Sequence, residues 1–255
     1  MDVEPVTART PRPLGWSPLM QWWRDVTFVH WAVEPGSVAG LLPAGTRPDV
    51  LDGRTYVGLV PFRMHPIGPA PGPGLPYVGT FCETNVRLYS VDGDGRRGVV
   101  FRSLDANRLV PVLGARFSAR LPYAWSRMRL HRDGDVLTYE CRRKWPGARG
   151  ASSRVVVRVG REIDRPDAVE TFLTARWGLH LRWHGRTLYL PNEHPRWRLH
   201  QAELLDLDDG LVSAAGVPVA AGPVSVLHSP GVPARFGTPT AAFRPGGPRT
   251  PRSPG

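Results

Sequence analysis

Few residues in this chain are placed to do chemistry on a small molecule. Glu83 and Arg87 lie four apart in the run Phe81–Tyr89, where apolar and polar residues alternate as in a strand. A glutamate facing an apolar interior must pair or take up a proton, and Arg87, on the same strand face, is its natural partner. The two are then either a polar patch that anchors or protonates a ligand, or a structural ion pair. Arg116 offers a second cation whose planar fork would suit a carboxylate. Strand alternation groups Arg116 with Ser118 and Arg120, so an outward, solvated Arg116 stays open. Tyr123 closes Gly114–Tyr123; its hydroxyl would orient a carbonyl, or act as an acid if an arginine lowers its pKa, or simply bond to backbone at a strand entrance.

Other chemistries find little support. His180 and His184 stand in a strand-like stretch, where residues four apart lie ~13 Å from each other. His194 and His200 bring no acidic residue at zincin spacing, so no metal site is expected. His194 beside Trp197 reads as a pocket wall or a core contact. Gly93-Asp94-Gly95 belongs to a hairpin and not to a phosphate cradle, and no Gly-x-Ser-x-Gly elbow occurs. No cofactor is expected. Cys82 and Cys141 have neither CxxC nor metal spacing and give no disulfide framework.

The elements that must position these residues are mostly strands. Segments 25–33, 55–62, 80–91, 98–104, 123–131, 136–143 and 154–160 are rich in Val, Phe, Tyr and Leu. Asp52-Gly53, Asp92–Gly95, Asp133-Gly134 and Asp209-Gly210 punctuate them as turns. Two helices are expected, one capped by Asp105 and running to about Leu113, the other over Pro166–Arg176. Pro66–Pro76 is too proline-dense for a central strand. Residues 1–18 and 229–255 are Pro/Gly/Arg-rich and read as loose flanks of one domain, 19–228. The fold class is a β-rich α+β fold, a mostly antiparallel sheet curled into a barrel with a few flanking helices.

Composition narrows the partners. The 255 residues carry a net charge of +11, but four of those charges are arginines of the acid-free stretch 229–255. Lys144 is the only lysine, so the basic excess reads as composition bias and nucleic acid is an unlikely partner. The N-terminus lacks an apolar export core, and the uncharged run Leu211–Leu227 is broken by Pro218 and Pro223. A cytoplasmic protein without a membrane span is expected; the sequence carries no signal for its oligomeric state.

Several ordered motifs resemble the YqjF-like (DUF2071) family of the acetoacetate decarboxylase-like superfamily. They include Trp31–Pro35, Val57–Phe62, Phe81/Glu83/Asn85–Arg87/Tyr89, Ser103–Ala106, Leu121–Tyr123 and His194–Leu199. The resemblance implies an acetoacetate decarboxylase-like barrel with a central pocket, and places Glu83 near the carboxylate that lines it. It also implies that Tyr123 stands where the decarboxylase has its Schiff-base lysine. That lysine attacks a ketone because burial and a cationic neighbour lower its pKa, the handling of an amine for which that decarboxylase is the standard example. A phenol cannot form an imine, so the chain is expected not to be a classical decarboxylase. Lys144, in the basic segment Cys141–Pro146, is either a displaced nucleophile or a solvated charge.

Tyr123 and Glu83 are therefore the candidate catalytic residues, with Arg87, Arg116, His194 and Trp197 as candidate ligand contacts. The ligand expected is a small organic acid or carbonyl compound, met by an enzyme without an imine step or by a binding protein. The competing reading is a regulatory partner that works through its Arg/Pro-rich tail.

Overall fold

Period-two alternation and Asp-Gly turns leave the backbone one economical solution, successive strands folded back on one another. A computed structural model describes residues 2–69, 79–109 and 120–242. The strands are β1 (Leu19–Val33), β2 (Thr46–Pro48), β3 (Thr55–Pro69), β4 (Phe81–Asp92), β5 (Arg97–Ala106), β6 (Tyr123–Asp133) and β7 (Val136–Trp145). After them come β8 (Ser152–Glu162), β9 (Gly178–Trp183), β10 (Arg186–Glu193), β11 (His200–Asp209), β12 (Ser225–Phe236) and β13 (Thr240–Ala241). Among the described residues three helices accompany them: α1 (Pro35–Ala39), α2 (Ala168–Thr174) and α3 (Leu211–Ala214).

Nine strands close into a mixed barrel in the order β4-β5-β6-β7-β8-β11-β12-β1-β3. The β5–β6 pairing is parallel; the other pairings of this ring are antiparallel. A second, looser ring shares five of these strands. From β5 it passes through β9 at one parallel pair, then β10, and returns through two residue pairs to β12. The wall β12-β1-β3-β4-β5 thus has an enclosed space on either side.

Alternation along that wall sorts its side chains. Val29, Trp31, Leu59, Val86 and Leu88 join Leu137, Val155, Val157 and Leu211 in the core of the nine-strand barrel. On the opposite face, Phe28, Val60, Phe62 and Phe81 pack with Trp197 and Leu199, while Tyr56, Tyr89 and Val99 pack with Phe172 and Leu173 of α2. A capping box between Asp167 and Glu170 starts α2.

Several expectations need correction. Asp105 caps no helix: it lies in β5 and pairs through both carboxylate oxygens with Arg143, at 2.8 and 2.6 Å, in the barrel interior. β5 ends at Ala106, Leu109 is already helical, and the rest of that expected helix, 110–113, lies outside the described residues. β3 runs on through Pro66 to Pro69, because its register with β1 continues there from Leu19 to Gln21. The boundary at 228 falls inside β12, whose pairing with β1 extends to Phe236. Residues before 19 are also held: the Glu4 amide donates to Gly95, the Leu14 amide to Glu193, and the Trp177 indole to the Thr7 carbonyl. Cys82 and Cys141 are free thiols. Among the described residues no helix is long and apolar enough to cross a membrane.

Candidate functional site

β4 turns Phe81, Glu83, Asn85, Arg87 and Tyr89 toward the space under α2, since every second residue faces the same way. Phe62 and Ala106 flank Glu83 in the ladder, and Glu83 is only 3% exposed. Tyr123 opens β6 beside Leu104, and its hydroxyl donates to Glu83 Oε2 at 2.9 Å. The sequence separates these two residues by forty positions; the β4–β5–β6 order makes them neighbours.

Burial drives the electrostatics of the pair. The Glu83 carboxyl is pushed up to about 7, although hydrogen bonds from Tyr123 and Asn85 pull it back, and Asp105 adds repulsion. The Tyr123 phenol is raised well above its ordinary value, by desolvation first and then by the Glu83 charge. Among the described residues the charged neighbour of the hydroxyl is an acid, which acts opposite to the arginine that the sequence left open. A carboxyl near neutrality can lend or take a proton at physiological pH. The phenol keeps its proton and orients the carboxyl.

Arg87 does not pair with Glu83, which corrects the second expectation. Its Nη2 and Nε donate to the Tyr89 hydroxyl at 3.1 and 3.3 Å, and Nη2 also donates to the Leu173 carbonyl at 2.9 Å. These bonds draw the guanidinium away from Glu83, over the rings of Phe28 and Tyr89. Among the described residues no carboxylate forms a salt bridge with it.

Gly58 permits this arrangement. It stands between Arg87 on β4 and His30 on β1, and a Cβ there would come within 2.9 Å of His30 Nε2 and 3.4 Å of Arg87 Cγ. His30 Nε2 meets the Tyr89 hydroxyl at 2.6 Å, while that hydroxyl donates its one proton to the Leu173 carbonyl at 2.8 Å. The imidazole therefore donates through Nε2–H, leaving the buried Nδ1 an acceptor without a partner. Burial, with Arg87 and Arg176 nearby, holds His30 well below the ordinary histidine value and so neutral.

Of the remaining expected contacts, His194 and Trp197 pack in one aromatic cluster with Trp23. His194 lies between Trp177 and Trp197, with ring centroids 4.5 and 4.9 Å away, and its Nδ1–H donates to the Pro195 carbonyl at 2.7 Å. Burial lowers it to about 4. Trp197 stacks on Trp23, meets Phe28 edge-on and donates its indole N–H to the Thr174 carbonyl. Beside Trp177 and Trp197 is a hollow of about 20 Å³, room for one water molecule. Arg116 lies outside the described residues. Lys144 is exposed on β7, its ammonium 4.3 Å above the Trp125 ring.

His30, Asn85, Tyr89 and Arg176 were missed as site residues by sequence reasoning. The same alternation that groups Arg87 with Glu83 could have found Asn85 and Tyr89, which stand two and six residues on; no local signal marks Arg176. Arg176 is buried between the Tyr89 and Phe172 rings and pairs with Asp49, which also takes Arg97. A hydroxyl–imidazole–carboxylate chain also occurs, with Ser90 Oγ 2.8 Å from His180 Nδ1 and His180 Nε2 3.3 Å from Asp92. All three are buried, Gly98 lies tight against the imidazole, and Asp92 is also held by Arg96. Ser90 Oγ also donates to the Gly98 carbonyl at 3.3 Å, so the chain ties β4 to β5 and β9.

A family model, DUF2071, described as an uncharacterized conserved protein, matches residues 20–233. The chain is 30% identical over 190 residues to the uncharacterized protein YqjF of Bacillus subtilis (strain 168), covering 72% of this chain and 76% of that one. Its fold is similar to that of the enduracididine biosynthesis enzyme MppR complexed with pyruvate, at a TM-score of 0.64 and 16% identity over 91% of this chain and 93% of that one. It is also similar to an acetoacetate decarboxylase-like enzyme from Sphingomonas wittichii RW1, at a TM-score of 0.60 and 15% identity over 89% and 93% of the two chains.

Proposed function

The chain belongs to the DUF2071 family, and on that footing we propose that it takes a small organic acid or carbonyl compound on the Glu83 face of β4 and handles it without an imine. The observation that carries this reading is the buried Glu83–Tyr123 pair on the same face as Arg87, a cation without a carboxylate partner among the described residues. A carboxyl poised near 7 and oriented by a phenol suits proton transfer at a carbonyl. Arg87 suits a carboxylate, and neutral His30 and His194 add no competing charge. The pyruvate held by the structural neighbour MppR belongs to the same ligand class.

In this reading protonated Glu83 donates to the ligand's carbonyl oxygen and recovers the proton afterwards. Tyr123, already donating to Oε2, holds the orientation of the carboxyl. The amine of a classical decarboxylase has no counterpart at position 123, since Tyr123 is a phenol, and Lys144 is exposed over the Trp125 ring. Many exposed arginines are neutralised in place, Arg54 by Glu34, Arg154 by Asp206, Arg158 by Glu203 and Arg198 by Glu162. That distribution favours a small ligand over a polyanion.

The test is a thermal-shift screen of small keto and hydroxy acids on the wild type, Glu83→Gln and Tyr123→Phe, with borohydride trapping in the presence of acetoacetate. Stabilisation of the wild type by at least one acid, reduced in both variants, is expected, with no covalent adduct. An adduct on Lys144, or ligand shifts indifferent to both substitutions, would overturn the reading.

A further inference from the structure

The outer wall of the nine-strand barrel carries a group of charges that the Glu83 chemistry does not use. Met128 of β6 and Cys141 of β7 pack into the barrel core. Alternation therefore turns Arg127 and Arg129 of β6, and Glu140 and Arg142 of β7, outward, and all four are exposed. Together these six residues line a cleft of about 300 Å³, at the lower end of the range for small-molecule sites.

The register sets like charges face to face. Arg127 stands directly opposite Arg142, and Arg129 opposite Glu140. Facing Cα atoms in an antiparallel ladder are about 4.5–5.5 Å apart, and like charges placed so are destabilising. Among the described residues none of the four forms a salt bridge, Arg129 and Glu140 included. The next strands differ. Arg154 of β8 faces Glu140 in register but pairs with Asp206 of β11, and Arg158 pairs with Glu203. The cleft is left with three guanidiniums and one carboxylate, an excess of two positive charges.

A phosphate monoester answers that excess. It carries close to two negative charges at neutral pH and three strong acceptor oxygens, which suit guanidinium forks. Arg127 and Arg142 flank the cleft from two strands, and an anion between them relieves their repulsion. Glu140 repels a bare anion but accepts from a hydroxyl on the ligand's carbon skeleton. We infer that the β6–β7 cleft is a site for a small hydroxylated phosphate monoester, on the outside of the barrel and independent of the Glu83 reading. A nucleic-acid backbone would need the unpaired basic surface to continue onto β8, where Arg154 and Arg158 already have acids.

Isothermal titration of glycerol phosphate, inorganic phosphate and sulfate at constant ionic strength tests this on the full-length wild type, Arg127→Gln, Arg142→Gln and Arg154→Gln. The wild type is expected to bind glycerol phosphate at least about tenfold more tightly than sulfate, and Arg127→Gln and Arg142→Gln should each lose about that factor. Arg154→Gln should bind as the wild type does. Without ligand, neither cleft variant should melt below the wild type, since each removes one of two facing like charges. No binding, equal binding of the three anions, or an equal loss in Arg154→Gln would overturn the inference. Tighter retention of a single-stranded oligonucleotide or of phosphatidic acid vesicles than of glycerol phosphate would overturn the small-ligand class.

Discussion

Glu83 is the residue on which the chemistry turns, and its protonation has a measurable consequence. Its folded pKa of about 7 lies above its ordinary 4.5. Between those values the unfolded chain has released the proton and the folded protein retains it. The native state binds more protons there, so stability falls as pH rises through this window. The shift corresponds to about 3 kcal/mol, present below 4.5 and lost above 7. His194 and His228, lowered to about 4, act oppositely, withdrawing stability as pH falls from 6.5 toward 4. A difference measurement isolates the glutamate. Chemical denaturation of Glu83→Gln and wild type should show the glutamine variant gaining relative stability with pH from 4.5 to 7; a flat difference would contradict a proton held on Glu83. Glu83 and Tyr123 were legible in the sequence, the first as an acid in an apolar strand and the second by position. The expected Glu83–Arg87 pair does not form, because strand rise puts i and i+4 ~13 Å apart, a distance readable from the sequence, and because the Tyr89 hydroxyl, which is not, takes the guanidinium.

At the scale of elements, three neighbouring strands bring the site together over one missing side chain. Gly58 lets His30 of β1 and Arg87 of β4 approach across β3. Gly58→Ala would push a methyl into the buried His30 ring, costing about 1–3 kcal/mol as overpacking does. It should also part His30 from Tyr89. Thermal melting checks the first effect, and the loss of any acid-dependent shift checks the second; a variant as stable as wild type would mean that the wall yields there. The strands themselves were readable, since alternation and Asp-Gly turns act over a few residues. The Asp105 cap misled for a definite reason. A carboxylate before a polar stretch looks like a helix start, but burial beside Arg143 gave it a stronger partner than any backbone amide.

Across the whole molecule, two enclosures share the wall β12-β1-β3-β4-β5, and Asp49 ties one of them together. It receives Arg97 of β5 on one oxygen and Arg176, just past α2, on the other, so one carboxylate bridges two guanidiniums. Asp49→Asn leaves the buried Arg176 and the half-buried Arg97 without their anion. About 3–5 kcal/mol of stability should be lost, as when one partner of a buried ion pair is removed. Denaturant unfolding of that variant measures it; a change under about 1 kcal/mol would assign the arginines to solvent or to another anion.

Sequence alone determined the β-rich architecture, the family likeness, the absence of an imine-forming amine at position 123, and the two residues most likened to a catalytic pair. Those conclusions rest on local periodicity and residue chemistry, which need no partner from elsewhere in the chain. Only the tertiary structure decided that Tyr123 bonds Glu83, that Arg87 turns from it, that Arg176 is buried at Asp49, and that β12 runs past position 228. Each of these depends on which strands lie side by side, and strand neighbours separated by forty to two hundred residues are set by the closure of the sheet.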